Sequence, residues 1–448
     1  MSREPVTREQ WTSRAGFLIA SIGCAAGLGN IWRFSYVAGE NGGAAFLLLF
    51  VACIAMLGVP LMLGEFCIGR RAQADAVSAF GGAGHKRSWR LAGWLMVVAS
   101  CVLLSYYVVT AGWAYKYFAG YLFGIVASSA RGDFGAYFDA CVADPFEPVL
   151  WRLVVVVSTV AVVVAGVQHG IERFNRILMP LLGAIVILLA AYGLSLDGAI
   201  AGVTFLFRPD WSAFAHPSIY FAALGQAFFS LGIGAGALLT YGSYAPPGVK
   251  LAPAAITVAA GDTLFAVIAG IAIFPAVFAL GLDPAQGPML AFVTLPEVFS
   301  AMPGGRLFAN AFFVLLGLAA LTSAVSLLEV SCAALMRCLR WSRRTSAIVM
   351  GCVVFAMGVP SALGYGGLAG FGLFGVGILE TVDRITSGIV LPIGGLLIAA
   401  FVGWAWSRTE AVEAAGMHDG RLAGAWLFLL RYVTPCLIAL ILFWAATG

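Results

Sequence analysis

Four ionisable side chains lie inside long apolar runs of this sequence: Arg33, Glu65, Asp262 and Glu329. A charge near the centre of a bilayer costs at least about 2.5–3.5 kcal/mol, so each of these residues is a candidate functional residue. Glu65 and Glu329 are predicted to accept backbone N–H hydrogen bonds. Burial could instead hold either of them protonated, because desolvation disfavours the charged carboxylate.

Polar residues near these charges have both a functional and a structural interpretation. Thr322 and Ser323 are adjacent in an apolar run and offer hard oxygen ligands that suit Na⁺. Alternatively, both hydroxyls bond to a carbonyl of the preceding helical turn. Arg33 has Asp383, at the start of a later run, as its best candidate partner, and otherwise extends to the membrane surface.

Two glycine clusters interrupt apolar runs: GCAAGLGN, from Gly23 to Asn30, and SLGIGAGA, from Ser230 to Ala237. Glycine in a helix interior costs about 1 kcal/mol relative to alanine, and a single cluster is readily explained by close helix packing. Paired clusters five runs apart favour an inverted-repeat transporter with two broken helices. Their freed carbonyls can coordinate a cation, and their amide ends can bind a carboxylate.

The elements that carry these residues are membrane spans. Of the 448 residues, 61% are hydrophobic and 10% are charged, and the mean hydropathy is +0.97. Soluble chains have about 45–50% apolar and about 25% charged residues. This composition excludes a cytosolic, disordered or nucleic-acid-binding protein. Since a span needs about 20 apolar residues, the chain allows about ten to twelve spans and no sizeable extramembrane domain.

Eleven apolar runs are predicted to be spans, at about 14–37, 43–69, 91–124, 148–166, 176–195, 218–241, 253–280, 307–335, 346–364, 379–406 and 425–446. With a cytoplasmic N-terminus, 18 of the 25 Lys and Arg residues fall on the cytoplasmic side, which is the side that positive loops prefer. The odd number of spans then places the C-terminus outside. The apolar segment 281–306 is predicted to be an outer re-entrant or lid-like element.

Other classes of site have little support in the sequence. Nine cysteines include no C-x-x-C pair, so neither a metal site nor a disulfide framework is indicated. The N-terminus is too charged for a cleavable signal peptide. No catalytic motif is present, so the protein is predicted not to be an enzyme. A membrane receptor that lost transport, a channel and a membrane enzyme remain as alternatives to a transporter.

Several motifs resemble the neurotransmitter:sodium symporter family, in order and over nearly the whole chain. They are W-x-x-R-A-G-F from Trp11, GLGNIWRFSYVAGENGGAAF from Gly27, SYY from Ser105, GIERFNRILMP from Gly170, GQAFFSLGIGAG from Gly225, LTSAVSLLE from Leu321 and RYVTP from Arg431. The resemblance implies an all-α polytopic membrane protein with the LeuT fold, in an eleven-span bacterial variant. It also implies Na⁺-driven amino-acid uptake.

The domain organisation that follows is a single transmembrane domain over residues 1–448, with spans 1 and 6 unwound in mid-membrane. Two inverted repeats of five spans cover about 14–195 and 218–406, and an additional span covers about 425–446. The expected location is the inner (plasma) membrane. The expected partners are a small amino-acid substrate and the lipid bilayer, with no nucleic acid and no obligate protein partner.

The resemblance also implies site residues. A first sodium site is similar to the Ala25 carbonyl with Asn30, Ser230 and Asp262, and a second to the Gly23, Ala26 and Ala319 carbonyls with Thr322 and Ser323. The substrate carboxylate would meet the Leu28 and Gly29 amides and the Tyr107 hydroxyl, and its ammonium would meet the carbonyls of Ala25, Phe229 and Ser230. Tyr107 and Phe229 resemble an aromatic lid. Arg33 with Asp383 resembles the outer gate, Arg8 with Trp11 resembles inner-gate elements, and Gly170 with Pro180 resembles the pattern that lets span 5 unwind.

The sequence departs from the family pattern at two places. Arg337 stands where the partner of the inner-gate arginine is expected, so the inner gate must close differently or the register differs by a few residues. Asp262 and Ala266 stand where chloride-dependent relatives carry an amide and a serine. A carboxylate beside Na⁺ already supplies a negative charge, so transport is predicted to be chloride-independent.

The side-chain end of the substrate site is predicted from six residues, which are Leu103, Phe229, Gly232, Ala235, Ser323 and Leu327. Relatives built for leucine carry a phenylalanine in place of Ala235 and a serine in place of Gly232. The smaller residues open space, so bulky apolar or aromatic L-amino acids are expected to bind best. Alternatively, a neighbouring side chain fills that space and restores a small site.

Overall fold

A computed structural model describes residues 9–81, 86–126, 132–372 and 375–447. The described residues form helices and no strand. Helices are expected here because a chain in lipid must satisfy its backbone hydrogen bonds within each segment.

Nine continuous helices of the described chain are long and apolar enough to span a membrane. In the predicted numbering they are spans 2 to 5 and 7 to 11: Ala44–Ala72, Arg87–Leu122, Glu147–Val164, Val167–Leu194, Leu251–Ala279, Gly305–Cys338, Arg343–Leu363, Ile378–Ala405 and Arg421–Ala445. Each coincides with one of the predicted apolar runs. Spans 3 and 8 are the most deeply buried and form the centre of the bundle.

The first and sixth predicted spans are the broken ones. Span 1 consists of Arg14–Ala25 and Gly29–Glu40, with a bend of 49° between them. Span 6 consists of Pro217–Leu231 and Ala237–Ser243. Between the halves of span 6, Gly232, Gly234 and Gly236 have φ values of +60°, +86° and +76°. Side chains with a Cβ rarely adopt this left-handed conformation, so the glycines are what allow the break.

The bundle has two ends, called here the Arg14 end and the Glu40 end after the first and last residues of span 1. At the Glu40 end, the predicted lid-like segment forms two short helices, Gly287–Ala291 and Thr294–Ala301. Phe292 is fully buried between them, and Trp32 Nε1 donates to the Pro288 carbonyl at 2.9 Å. The prediction that this segment packs on the span bundle is confirmed.

Span 5 begins with a π-helical turn, Val167–Glu172, and then continues as an α-helix through Pro180. Gly170 belongs to this turn, where an added Cβ would lie 2.2 Å from the Val162 carbonyl oxygen. Proline removes one backbone donor from the helix, and π-turns are irregularities themselves. Span 5 is therefore helical in this structure, but it carries two local weaknesses ten residues apart, at Gly170 and Pro180.

Candidate functional site

A small cavity lies between the two broken spans, spans 3 and 8. Its lining consists of Cys24, Ala25, Gly27, Gly29, Leu103, Tyr107, Phe229, Ser230, Gly232, Ala237, Ser323 and Leu327. Nine of the eleven predicted substrate-site residues are among them. No charged side chain lines this cavity, although the bundle around it contains several buried carboxylates.

Two predicted residues lie outside the lining. Leu28 is buried, and its amide donates to the Tyr107 hydroxyl at 3.2 Å. Ala235 is also fully buried. Gly232 and Ala237 line the cavity, but Ala235 does not. The positive φ values of Gly234 and Gly236 turn the backbone between them, so Ala235 faces elsewhere.

The break in span 1 frees main-chain groups beside the cavity. Gly27 N, whose helical partner would be the Gly23 carbonyl, donates to Asn30 Oδ1 at 3.1 Å instead. The Cys24 carbonyl, which Leu28 N would bond in a continuous helix, accepts from Ser323 Oγ at 3.1 Å. Helical bonds are thus exchanged for bonds to side chains, and the Gly23 carbonyl becomes available to a ligand.

Asp262 stands at the centre of a buried polar cluster. Its carboxylate accepts from Asn30 Nδ2 at 2.8 Å and from Ser230 Oγ at 2.9 Å. Asp262 has no exposed surface, and no described lysine or arginine pairs with it. A buried carboxylate without a counter-charge is costly. This donor set therefore fits a small monovalent cation, and it contains three of the four residues predicted for the first sodium site.

Thr322 and Ser323 differ in their bonding. Thr322 Oγ1 donates to the Ala319 carbonyl at 2.8 Å within its own helix, which agrees with the structural alternative, whereas Ser323 crosses to span 1. A hydroxyl that donates its hydrogen keeps its oxygen lone pairs. Both oxygens therefore fit a cation. Gly23 and Ala26, the two ligands of the second sodium site that span 1 is predicted to supply, lie at the broken end of the first half-helix.

Glu65 and Glu329 have different roles. Glu65 accepts hydrogen bonds from Gly234 N at 2.9 Å and Leu239 N at 3.1 Å, so the prediction that it stabilises a broken segment is confirmed. For Glu329 the same prediction is wrong. Its carboxylate accepts from Tyr244 Oη at 2.6 Å and from Arg343 Nη1 at 2.7 Å. The hydrogen-bond donors to Glu329 are thus side chains at the ends of spans 6 and 9, not backbone amides.

Arg33 and Asp383 face each other at the Glu40 end of the cavity. Arg33 Nη2 and Asp383 Oδ2 are 3.8 Å apart, and Tyr106 Oη donates to Asp383 Oδ1 at 2.9 Å. The Arg33 guanidinium lies 4.3 Å from the centre of the Phe229 ring. Arg33 is therefore placed one layer above the cavity, over one of its aromatic residues.

The profile of the sodium:neurotransmitter symporter family matches residues 8–126 and 144–447. The chain belongs to this family. An uncharacterized sodium-dependent transporter, YhdH of Bacillus subtilis, is 39% identical over 96% of both chains. Another from Haemophilus influenzae is 32% identical over 97% of both chains. The sodium-dependent serotonin transporter of Drosophila melanogaster is 24% identical over 99% of this chain and 77% of its own length.

A crystal structure of the transporter MhsT in complex with L-phenylalanine is similar to this fold. Its TM-score is 0.92, with 48% identity over 98% of this chain and 100% of that one. The symporter is therefore a multi-pass, sodium-dependent transporter with the LeuT fold, and it is not an enzyme. The family resemblance and the fold class predicted from the sequence are both confirmed.

At the Arg14 end of the symporter, the predicted inner-gate residues have unexpected neighbours. Trp11 Nε1 donates to the Tyr241 carbonyl at 2.9 Å, whereas Arg8 lies outside the described residues. Arg337 faces away to Asp75, at 3.6 Å. Arg343 instead pairs with Glu329 at 2.7 Å and with Glu9 Oε2 at 3.2 Å.

The same end holds the N-terminal segment against span 5. Glu9 Oε2 accepts from Val167 N at 2.7 Å, and Glu172 Oε2 accepts from Thr12 N at 2.8 Å. Thr12 Oγ1 also bonds Glu172, which is almost fully buried. Two carboxylates therefore tie residues 9–12 to the π-helical turn.

Sequence reasoning missed several of these residues. Cys24 and Ala237 line the cavity, and Gln226 Nε2 donates to the Gly29 carbonyl at 2.7 Å from full burial. Gln226 is an uncharged amide within an apolar run, which is a detectable signal of a buried polar contact. Arg343 entered the sequence argument only as a positive charge of a cytoplasmic loop. Its pairing with Glu329 depends on the turn between spans 8 and 9, which the sequence does not show.

Proposed function

We propose that this symporter couples Na⁺ entry to the uptake of hydrophobic or aromatic L-amino acids by alternating access. The observation that carries the proposal is the composition of the cavity: freed main-chain groups at one end, and Leu103 and Leu327 at the other, with no charged side chain in the lining. The binding of L-phenylalanine by the related transporter MhsT supports the same substrate class.

The main-chain end of the cavity is suited to the common part of an amino acid. The substrate carboxylate meets the Leu28 and Gly29 amides and the Tyr107 hydroxyl, and the ammonium meets the Ala25, Phe229 and Ser230 carbonyls. The side-chain end gains about 25 cal/mol per Å² of apolar ligand surface buried. One missing methylene changes binding by only about 1–3 kcal/mol, so specificity within the apolar class is broad.

Two sodium ions are proposed as co-substrates. Asn30, Ser230, Asp262 and the Ala25 carbonyl hold the first, next to the substrate carboxylate. The Gly23, Ala26 and Ala319 carbonyls, with Thr322 and Ser323, hold the second. The fixed Asp262 carboxylate takes the place of chloride, since Ala266, which is fully buried in the same span, offers no hydroxyl.

The outer gate is proposed to be Arg33 with Asp383, above a lid of Tyr107 and Phe229. At 3.8 Å the charged pair is loose and leaves room for water to join it. Its role is to position the Arg33 guanidinium over Phe229 rather than to hold the gate shut by its own strength.

The inner gate is proposed to rest on Arg343 rather than on Arg337. Arg343 joins Glu9 of the N-terminal segment to Glu329 of span 8, and Trp11 fills the space below Tyr241. Arg8 belongs to the same N-terminal segment, and no pairing is assigned to it. Arg337 pairs with Asp75 on the loop after span 2, so the like charge expected at the gate is directed away from it.

The proposed orientation places the Arg14 end in the cytoplasm and the Glu40 end outside, in a bacterial inner membrane, with the bilayer around the exposed apolar faces. Spans 1–5 and 6–10 form the two inverted repeats, at about 14–195 and 218–406 of a single domain over 1–448, and span 11 is additional. Gly170 and Pro180 then let the cytoplasmic part of span 5 unwind and admit water to the second sodium.

Uptake into proteoliposomes tests the proposal. Radiolabelled L-phenylalanine should accumulate with an inward Na⁺ gradient and not without one, and unlabelled Leu, Tyr or Trp should compete better than Gly, Ala or a charged amino acid. Binding without any transport would favour a receptor. Glycine or a charged amino acid as the tightest competitor would contradict the proposed cavity.

A further inference from the structure

The side-chain amide of Asn175 in span 5 is fully buried, and only one of its two polar atoms has a hydrogen-bond partner among the described residues. Asn175 has no exposed surface, and its Nδ2 donates to the Ile171 carbonyl at 2.9 Å. This bond fixes which way the amide points. The opposite atom, Oδ1, has no hydrogen-bond partner among the described residues. A buried carbonyl oxygen without a partner is uncommon in folded proteins and calls for a ligand or a functional reason.

The unpartnered oxygen faces the broken part of span 1. A Cβ added to Gly23 would lie 2.1 Å from Asn175 Oδ1, and Asn175 Cγ and Met179 Sδ would each be 3.1 Å away. Asn175 Oδ1 is therefore packed directly on the Gly23 backbone. At the same residue the helical donor for the Gly23 carbonyl is lost, since Gly27 N is bonded to Asn30 Oδ1. Gly23 therefore has an unpartnered amide oxygen packed on its backbone and a carbonyl that has lost its helical donor.

The chemistry of this pair favours a hard cation. Amide and main-chain carbonyl oxygens are ligands that Na⁺ uses in transporters with broken helices. Asn175 is neutral, so it can ligate a cation without holding it as a carboxylate would. It also lies between Gly170 and Pro180, in the first α-helical turn after the π-helical turn of span 5.

We propose that Asn175 Oδ1 is an additional sodium ligand, which receives Na⁺ from the Gly23 carbonyl as the ion passes between the second sodium site and the Arg14 end. This inference rests on the proposed second sodium site at Gly23. It assigns to span 5 a direct chemical part in sodium release, besides the opening of its backbone.

Sodium binding measured without transport tests the assignment. In purified protein, the melting temperature is followed against Na⁺ concentration at saturating L-phenylalanine, because an ion that binds the folded state raises it. Asn175→Leu keeps the branched shape of the side chain and removes the oxygen, so the Na⁺ concentration for half-maximal stabilisation should rise on the order of tenfold. Asn175→Asp should lower it and should slow the release of ²²Na⁺ from loaded protein.

The chain offers a matched control. Asn310 Nδ2 donates to the Arg306 carbonyl at 3.0 Å, and its Oδ1 is likewise unpartnered, but it lies at the Glu40 end of span 8. Asn310→Leu removes the same type of helical bond and should leave the Na⁺ titration unchanged. If Asn175→Leu fails to fold, Asn175→Ala replaces it, and Asn175→Asp provides a shift in the opposite direction.

The outcomes separate this inference from the proposed function. Wild-type protein whose stability ignores Na⁺ would contradict the sodium-coupled function itself. A wild-type Na⁺ response that stays the same in the Asn175→Asp, Asn175→Leu and Asn175→Ala variants would overturn only the role of Asn175. A shift of equal size in Asn310→Leu would also overturn it, because the effect would then come from the lost helical bond.

Discussion

Arg343 Nη1 lies 2.7 Å from Glu329 Oε2, which joins the first turn of span 9 to the buried interior of span 8. Glu329 has no exposed surface, so removal of its cationic partner leaves a buried charge, at a cost of about 3–5 kcal/mol. Glu9 loses its ion pair in the same change and keeps the hydrogen bond from Val167 N. The Arg14 end of the bundle should therefore open more often when Arg343 is replaced.

We expect Arg343→Gln to increase the alkylation rate of Cys332, whose Sγ lies 3.8 Å from the Arg343 carbonyl oxygen and which is fully buried. Mass spectrometry of the Cys332 peptide measures this rate among the nine cysteines. Arg337→Gln is the matched control, since its side chain is 60% exposed and pairs only with Asp75. An equal increase in both variants would rule out a gate built on Arg343.

Glu65→Gln should lower the melting temperature of the purified protein. The carboxylate accepts from both Gly234 N and Leu239 N. A glutamine presents one oxygen and one amide group, so one backbone donor loses its partner, at a cost of about 1–3 kcal/mol. Glu297→Gln, at an exposed position, should leave the melting temperature unchanged. A Glu65→Gln variant as stable as the parent would show that water or another acceptor satisfies the broken span 6.

Replacement of chloride by gluconate should leave Na⁺-driven uptake unchanged in the parent. Two unit charges in contact attract by about 4 kcal/mol at an effective dielectric constant of 20, so one fixed carboxylate can replace one anion. Asp262→Asn should weaken Na⁺ affinity or make uptake depend on chloride. A large loss of parent uptake in gluconate would contradict the prediction.

Asp383→Asn should change the kinetics of uptake modestly. The asparagine oxygen can still accept from Tyr106, but the charge opposite Arg33 is lost. A partly exposed pair of this kind contributes about 0.2–1 kcal/mol, so a change in KM of about 1.5- to fivefold is expected. Asp197→Asn, at an exposed position near the same end, is the control. Kinetics of Asp383→Asn that match the parent would remove Asp383 from the gate.

The fold could be predicted from patterns that are visible in the linear sequence. Long apolar runs marked the spans, and the glycines at 23–30 and 230–237 marked the two breaks, because both effects are local. The pairing of Arg343 with Glu329 was not accessible in this way. It depends on how the chain turns between spans 8 and 9, and an interpretation based on one residue at a time assigned Glu329 to backbone amides.

Within the cavity, the limits of sequence reasoning have a similar cause. Leu103, Tyr107 and Leu327 lie on continuous helices, where a family resemblance carries over one residue at a time, and all three line the cavity. Ala235 lies between two glycines with positive φ, where no fixed period applies. Asn175 is a neutral amide, and its burial next to Gly23 depends on how spans 1 and 5 pack, which the sequence alone does not show.

The polar groups exposed at the breaks of spans 1 and 6 are main-chain carbonyls and amides rather than side chains. This limits how the symporter can diverge in evolution. Substitutions alter side chains, whereas the carbonyls and amides around Gly23 and Gly232 remain whatever residues their neighbours become. If the cavity is the proposed substrate site, inherited changes of ligand preference accumulate at its lining side chains, among them Cys24, Leu103 and Leu327. A lineage could exchange these one by one and keep a working recognition of the main-chain end throughout.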